Sequence, residues 1–219
     1  MLKYPCLILD HDDTVVQSEA TVNHPFFVEF LKEYRPGMTI SVHEYISECY
    51  CPGYIPMCRQ RFQFSDAELE IEYKAWKEHI KSHAPDPYPG IGQVLRRYKQ
   101  AGGVIIVASQ SAQENILRDY RLHIGVIPDE IYGWDLEPAH RKPNPYAIEQ
   151  AQKKYGFSKE QMLVVDDMRI AVQMARDGGV QIAFAGWGRK EFPEICKDME
   201  ALCDFSFYST EELEKILFD

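Results

Sequence analysis

Three short apolar runs carry no polar residue at alternate positions: Cys6-Leu7-Ile8-Leu9, Val104-Ile105-Ile106-Val107-Ala108 and Met162-Leu163-Val164-Val165. A strand with one wet face alternates apolar and polar side chains, because successive residues point to opposite faces. Runs without alternation belong to strands covered on both faces, as in parallel sheets flanked by helices. Val180 to Ala185 reads as a further strand, Glu130-Ile131-Tyr132 as a weaker one and Phe205-Ser206-Phe207 as a short one. Helical segments lie between them. One spans Ile91 to Gln100 and closes at Gly102-Gly103. Another opens at Ser111-Ala112-Gln113-Glu114, a capping-box spacing, and runs to about Leu122. Others span Pro145 to Tyr155, follow the Met162 strand as far as Asp177, and follow the cap signal Ser209-Thr210-Glu211-Glu212. Strands alternating with helices imply an α/β fold with a doubly wound parallel sheet.

From about residue 17 to residue 85 that rhythm stops. Phe26, Phe27, Phe30 and Leu31 recur at helical spacing, as do Leu69, Tyr73, Trp76 and Ile80 behind the capping signal Ser65-x-x-Glu68. Pro36-Gly37 and Pro52-Gly53 divide the region into pieces. Residues 17–85 are therefore expected to form a small inserted α-helical domain, with the Phe residues as its core. Residues 1–16 and 86–219 make the main domain, and Pro85-Asp86-Pro87-Tyr88-Pro89-Gly90 is a stiff return hinge.

A chain of 219 residues with 45% hydrophobic content can bury a sizeable core. A net charge of −10 argues against nucleic acid as a partner, since phosphate backbones need basic patches. No apolar run approaches the ~20 residues that span a bilayer. Met1-Leu2-Lys3-Tyr4-Pro5 lacks a signal-peptide pattern. The expectation is a cytoplasmic protein with no membrane partner, monomeric by default. The six cysteines do not form a secreted disulfide framework, so reduced thiols are expected. Cys49, Cys51 and Cys58, with His43 upstream, are candidate metal ligands, but their spacing matches no usual zinc pattern.

In open α/β sheets the ligand sits at the carboxyl ends of the strands. Asp10 and Asp12 follow the first strand. Ser109, Gln110 and a helix N-terminus follow the second. Lys142 follows the third in Arg141-Lys142-Pro143, and Asp166 and Asp167 follow the fourth. The four aspartates are hard oxygen ligands suited to Mg²⁺. Lys142 supplies a point charge for phosphate. Ser109 and the amides behind it are donors to phosphate oxygens, and a carboxylate can attack phosphorus. Each residue alone has a plainer reading as a turn cap or a solvated charge; the four together, each after a buried strand, do not.

In these motifs the chain resembles hydrolases of the haloacid dehalogenase (HAD) superfamily, in the phosphoglycolate phosphatase/β-phosphoglucomutase-like branch. The motifs are Asp10-x-Asp12-x-Thr14, Ser109, Lys142-Pro143 and Asp166-Asp167. The resemblance implies a Mg²⁺-dependent phosphatase acting on a small phosphorylated metabolite through an aspartyl phosphate, with the helical insertion as a cap. It implies Asp10 as nucleophile, Asp12 as general acid/base, and Lys142 holding nucleophile and phosphate together. Thr14 would steady the first turn beside the phosphate, where Ser109, Gln110 and Lys142 bind. Asp10, Asp12 through its carbonyl, Asp166 and Asp167 would hold the metal. A phosphomutase and a non-catalytic binding or regulatory protein on the same fold are the alternatives. The chain departs from the family at Asp13, where Gly is usual, and at Ala171, where many relatives carry an acid. Asp13 is expected either to face solvent or to act on the acid/base.

Overall fold

The computed structural model describes residues 2–218. Six strands form one parallel sheet in the order β3-β2-β1-β4-β5-β6. They are β1 (Cys6–Leu9), β2 (Val104–Ala108), β3 (Glu130–Tyr132), β4 (Met162–Asp166), β5 (Gln181–Ala185) and β6 (Phe205–Phe207). The central pairings are in register, with Leu9 opposite both Val107 and Val165. The carboxyl ends of β1, β2 and β4 therefore reach the same rim. The strand order reverses between β1 and β4, which opens a crevice at that rim.

The missing alternation has its expected cause. Leu7, Leu9, Ile105, Val107, Leu163, Val165, Ala183 and Ala185 face one layer of the core. They pack there with Ile91, Val94, Leu95 and Tyr98 of α5 (Ile91–Gln100) and with Leu213 and Leu217 of the helix Thr210–Phe218. Cys6, Ile8, Ile106, Val164 and Ile182 alternate to the other face and are equally buried. On that side α7 (Tyr146–Tyr155) lies against β1 and β2, and α8 (Arg169–Gly178) against β4 and β5. The two helices pack closely. A Cβ on Gly178 would come within 2.4 Å of Ile148 Cδ1.

The chain divides into two compact units, Ser18–Pro85 and the remainder. The smaller unit contains α1 (His24–Tyr34), α2 (Val42–Glu48), α3 (Tyr54–Gln60) and α4 (Asp66–Ser82). Phe26, Phe27, Phe30 and Leu31 are its buried stripe, joined by Phe62 and Phe64. Ser65 and Glu68 form the expected capping box, and Ser41 and Glu44 form a second at α2. The chain leaves and re-enters the larger unit side by side. Tyr88 N donates to Val15 O at 2.9 Å and Gln17 N to Asp86 O at 2.9 Å.

One expected cap is absent. Helix α6 (Gln113–Asp119) begins after Ala112, the Ser111 hydroxyl goes to Asp12 instead, and the Gln113 amide donates to Asp135 Oδ2 at 2.6 Å. The segment continues as a wide turn through Tyr120–Ile124. Among the described residues, no helix is long and apolar enough to cross a membrane. Cys49, Cys51, Cys58 and His43 do not assemble into a metal-ligand group. The described cluster of that kind is Asp10, Asp166 and Asp167.

Candidate active site

Asp10 follows β1 directly, and its amide donates to Val165 O at 2.9 Å, tying it to the neighbouring strand. The chain then turns sharply, with Val15 N and Val16 N both donating to His11 O. Asp13 takes φ +52°, in the left-handed region where glycine is favoured and Asp is tolerated. That accounts for an Asp at this place in the turn. Thr14 is fully buried, and its hydroxyl has no hydrogen-bond partner among the described residues; its carbonyl accepts from Trp187 Nε1 at 3.0 Å. Thr14 is thus tied in through its backbone, not its hydroxyl.

Lys142 reaches the rim from the loop after β3. Its Nζ lies 2.6 Å from Asp10 Oδ1 and 2.7 Å from Asp166 Oδ2, with its side chain only 4% exposed. Burial works against the ammonium charge, but the two carboxylates outweigh it and hold the Lys142 pKa above its ordinary value. Burial also pushes the Asp10 carboxyl well above the usual carboxylate range. Lys142 pulls it back, while Asp166, Asp167 and Asp12 push it further up. Asp166 is raised in the same way, chiefly by burial and against the pull of Lys142. One ammonium does not balance this much buried negative charge.

The donor set fits a hard divalent cation. Asp10, Asp166 and Asp167 each offer a carboxylate oxygen, and these oxygens lie within 4.8 Å of one another. Asp167 Oδ1 is buried and has no hydrogen-bond partner among the described residues, an arrangement that costs free energy until a cation or donor meets it. The Asp12 carboxylate stands apart from this group. Its Oδ2 accepts from Ser111 Oγ at 2.5 Å. Ser109 is buried at the end of β2, where its hydroxyl accepts from Ser111 N at 3.1 Å. Gln110 beside it is exposed.

Three neighbours of the site make bonds that local spacing does not mark. Ser111 holds Asp12, but its spacing to Glu114 reads as a helix cap. His11, 1% exposed, sends Nε2 to Asp119 Oδ2 at 3.1 Å. Burial opposes the charge of Asp119, yet its bonds to His11 and Arg118 hold its pKa below the ordinary value. Arg189, in the loop after β5, sends Nε to Asp167 Oδ2 at 2.9 Å and lies 3.0 Å from Asp13 Oδ2 through Nη1. Asp13 accordingly faces Arg189 in the interior rather than solvent. No local pattern marks Arg189, because its partners lie at the ends of two other strands.

A parallel sheet with its strand order reversing at β1, and opposed aspartates bridged by a loop lysine at that reversal, places the molecule among Rossmann-like α/β proteins with an acidic site at the switch point. Residues 7–185 match the model of the haloacid dehalogenase-like hydrolase family, and the chain belongs to that family. It is 26% identical over 125 residues to a haloacid dehalogenase-like hydrolase domain-containing protein of Arabidopsis thaliana, a match covering 55% of this chain and 39% of that protein. It is 21% identical over 185 residues to the pyrophosphatase PpaX of Halalkalibacterium halodurans, covering 83% of each. Among solved structures, CbbY from Rhodobacter sphaeroides, in complex with xylulose-(1,5)bisphosphate, superposes with a TM-score of 0.73 at 18% identity, covering 97% of this chain and 96% of that one.

Proposed function

We propose that this chain is a Mg²⁺-dependent phosphatase that hydrolyses a small phosphorylated metabolite through an aspartyl phosphate on Asp10. The observation that carries the reading is the buried Lys142 ammonium bridging Asp10 and Asp166 beside the unpartnered oxygen of Asp167. Lys142 fixes the Asp10 carboxylate and offers its charge to the incoming phosphate. An Asp10 oxygen attacks phosphorus, and the bond from phosphorus to the ester oxygen breaks. Asp12 gives its proton to the departing alkoxide and then takes one from the water that attacks the acyl phosphate. Inorganic phosphate leaves and the Asp10 carboxylate returns. Ser111 keeps the Asp12 carboxylate in place through that exchange. Ser109, at the end of β2, would donate to the phosphoryl oxygens, with Gln110, Thr14 and the amides ahead of α6 as the further candidates. Asp10, Asp166 and Asp167, with the carbonyl of Asp12, would hold the metal; when bound, it neutralises charge on the phosphoryl group.

The PpaX and CbbY likenesses support phosphorylated compounds as the substrate class. A screen of sugar phosphates, phosphoglycolate, pyrophosphate and nucleotides with Mg²⁺ tests the reading. Phosphate release above an Asp10→Asn control is expected for at least one compound, and none above that control would overturn it.

A further inference from the structure

Asp13, Arg189 and Asp167 form a buried chain of charges that links the first turn to the metal-facing carboxylates. Their side chains are 4%, 5% and 1% exposed. Arg189 places two donors, Nε and Nη2, on the same oxygen of Asp167, Oδ2. Its third nitrogen, Nη1, lies 3.0 Å from Asp13 Oδ2. Asp13 is itself steadied on its other oxygen by Tyr88 Oη at 3.3 Å. The loop that carries Arg189 is seated on the first turn by Trp187 and by a close approach at Gly188. A Cβ there would lie 2.2 Å from Tyr88 Oη and 3.1 Å from Asp13 O.

A buried guanidinium beside a carboxylate needed for a cation is a problem by itself. It neutralises that carboxylate and repels the incoming ion. Asp13 removes the problem, because the three residues together carry one negative charge, the same as Asp167 alone. What remains is the geometric gain. A planar fork with both donors on Oδ2 fixes the carboxylate and leaves Oδ1 turned away from the fork, without a hydrogen-bond partner. Outer partners of this kind orient a metal's direct ligands.

We infer that Arg189 is a positioning residue that aims Asp167 Oδ1 at the divalent cation, and that Asp13 is the counter-charge that lets Arg189 do so. The two residues are one device, and the glycine usual at position 13 would leave Arg189 uncompensated. This inference rests on the metal-dependent reading proposed above.

The test is Mn²⁺ binding to the full chain, followed by electron paramagnetic resonance without substrate, with Asp167→Asn as the site control. Asp13→Asn keeps a side chain that tolerates the left-handed turn and removes only the charge. It is expected to weaken Mn²⁺ binding by roughly 10- to 100-fold. Adding Arg189→Met to Asp13→Asn is expected to recover part of that loss, because the uncompensated cation is gone, and to stay several-fold weaker than the unsubstituted chain, because the fork that aims Oδ1 is gone with it; full recovery would overturn the positioning role. Unchanged binding in Asp13→Asn, or a double variant weaker than Asp13→Asn, would overturn the inference alone. If the unsubstituted chain shows no Mn²⁺ binding that Asp167→Asn abolishes, the metal reading fails and this inference with it. Should Asp13→Asn not fold, Asp13→Gly/Arg189→Met carries the comparison. It is expected to fold and to bind Mn²⁺ within about tenfold of the unsubstituted chain, and folding without binding overturns the pairing.

Discussion

Lys142 Nζ lies 2.6 Å from Asp10 Oδ1 across 132 positions of sequence, so the loop after β3 and the end of β1 meet at one buried charge pair. A third partner, Asp166 Oδ2 at 2.7 Å, makes the lysine the counter-ion of two strands at once. Replacing Lys142 by Met leaves both carboxylates buried without it. The metal-free protein is expected to lose roughly 3–5 kcal/mol of stability in urea denaturation. Phosphate release is expected to fall by at least about 100-fold. A variant as stable and as active as the unsubstituted chain would remove the lysine from both roles.

Ser111 is expected to matter through Asp12 and not through its helix. Its hydroxyl donates to Asp12 Oδ2 at 2.5 Å, and α6 receives no cap from it. Ser111→Ala is expected to lower kcat by roughly tenfold with little change in KM, since a misplaced proton donor costs the chemical step more than binding. Ser111→Thr restores the hydroxyl and should recover most of kcat. Steady-state kinetics with thermal melting beside it separates this from a loss of fold.

The smaller unit carries its own acid sensitivity. Glu44 is held down to about 2, first by the Ser41 amide and hydroxyl and then by Arg61. Glu68 is held down to about 2, first by Arg35 and then by Ser65. Both carboxyls sit below their ordinary 4.5 in the fold. Their contribution is therefore complete above that value and is lost as pH falls toward about 2. Both groups are at the surface, so salt should weaken the effect. Glu44→Gln with Glu68→Gln is expected to flatten the fall of Tm over that window, measured by circular dichroism at a series of pH values.

Burial pushes the Cys6 and Cys58 thiols up to about 12, whereas Cys51 is exposed. A thiol held protonated and covered does not react. A short iodoacetamide pulse at a pH of about 8 should label Cys51 while sparing Cys6 and Cys58, which become reactive only in denaturant. Peptide mapping reads the order directly, and early labelling of Cys58 would contradict the packing of α3.

The sheet was legible because both-face burial leaves a local mark, apolar runs that lose their alternation. The aspartates were legible because they stand at the ends of those runs. Lys142 was legible through its place after the third strand and its company at the rim, since a lysine alone in a loop reads as solvated. Ser111 was misread because Ser-x-x-Glu is the spacing of a cap, and a tertiary acceptor, Asp12, competed for the hydroxyl and won. Arg189 and the turn of Asp13 toward it were invisible for a related reason: the guanidinium bridges two strand ends that neighbour one another only once the sheet has formed. Local spacing records local bonds, and these residues bond at long range.

The proposed reaction turns on Asp10 as the nucleophile toward phosphorus. The most direct measurement is acid quenching of the enzyme during turnover of its best substrate, followed by mass spectrometry of the peptide containing Asp10. One phosphoryl group on Asp10, absent from Asp10→Asn and gone once substrate is exhausted, is the expected result. Continued phosphate release with no phosphoryl group on Asp10 at any time in the burst would contradict it.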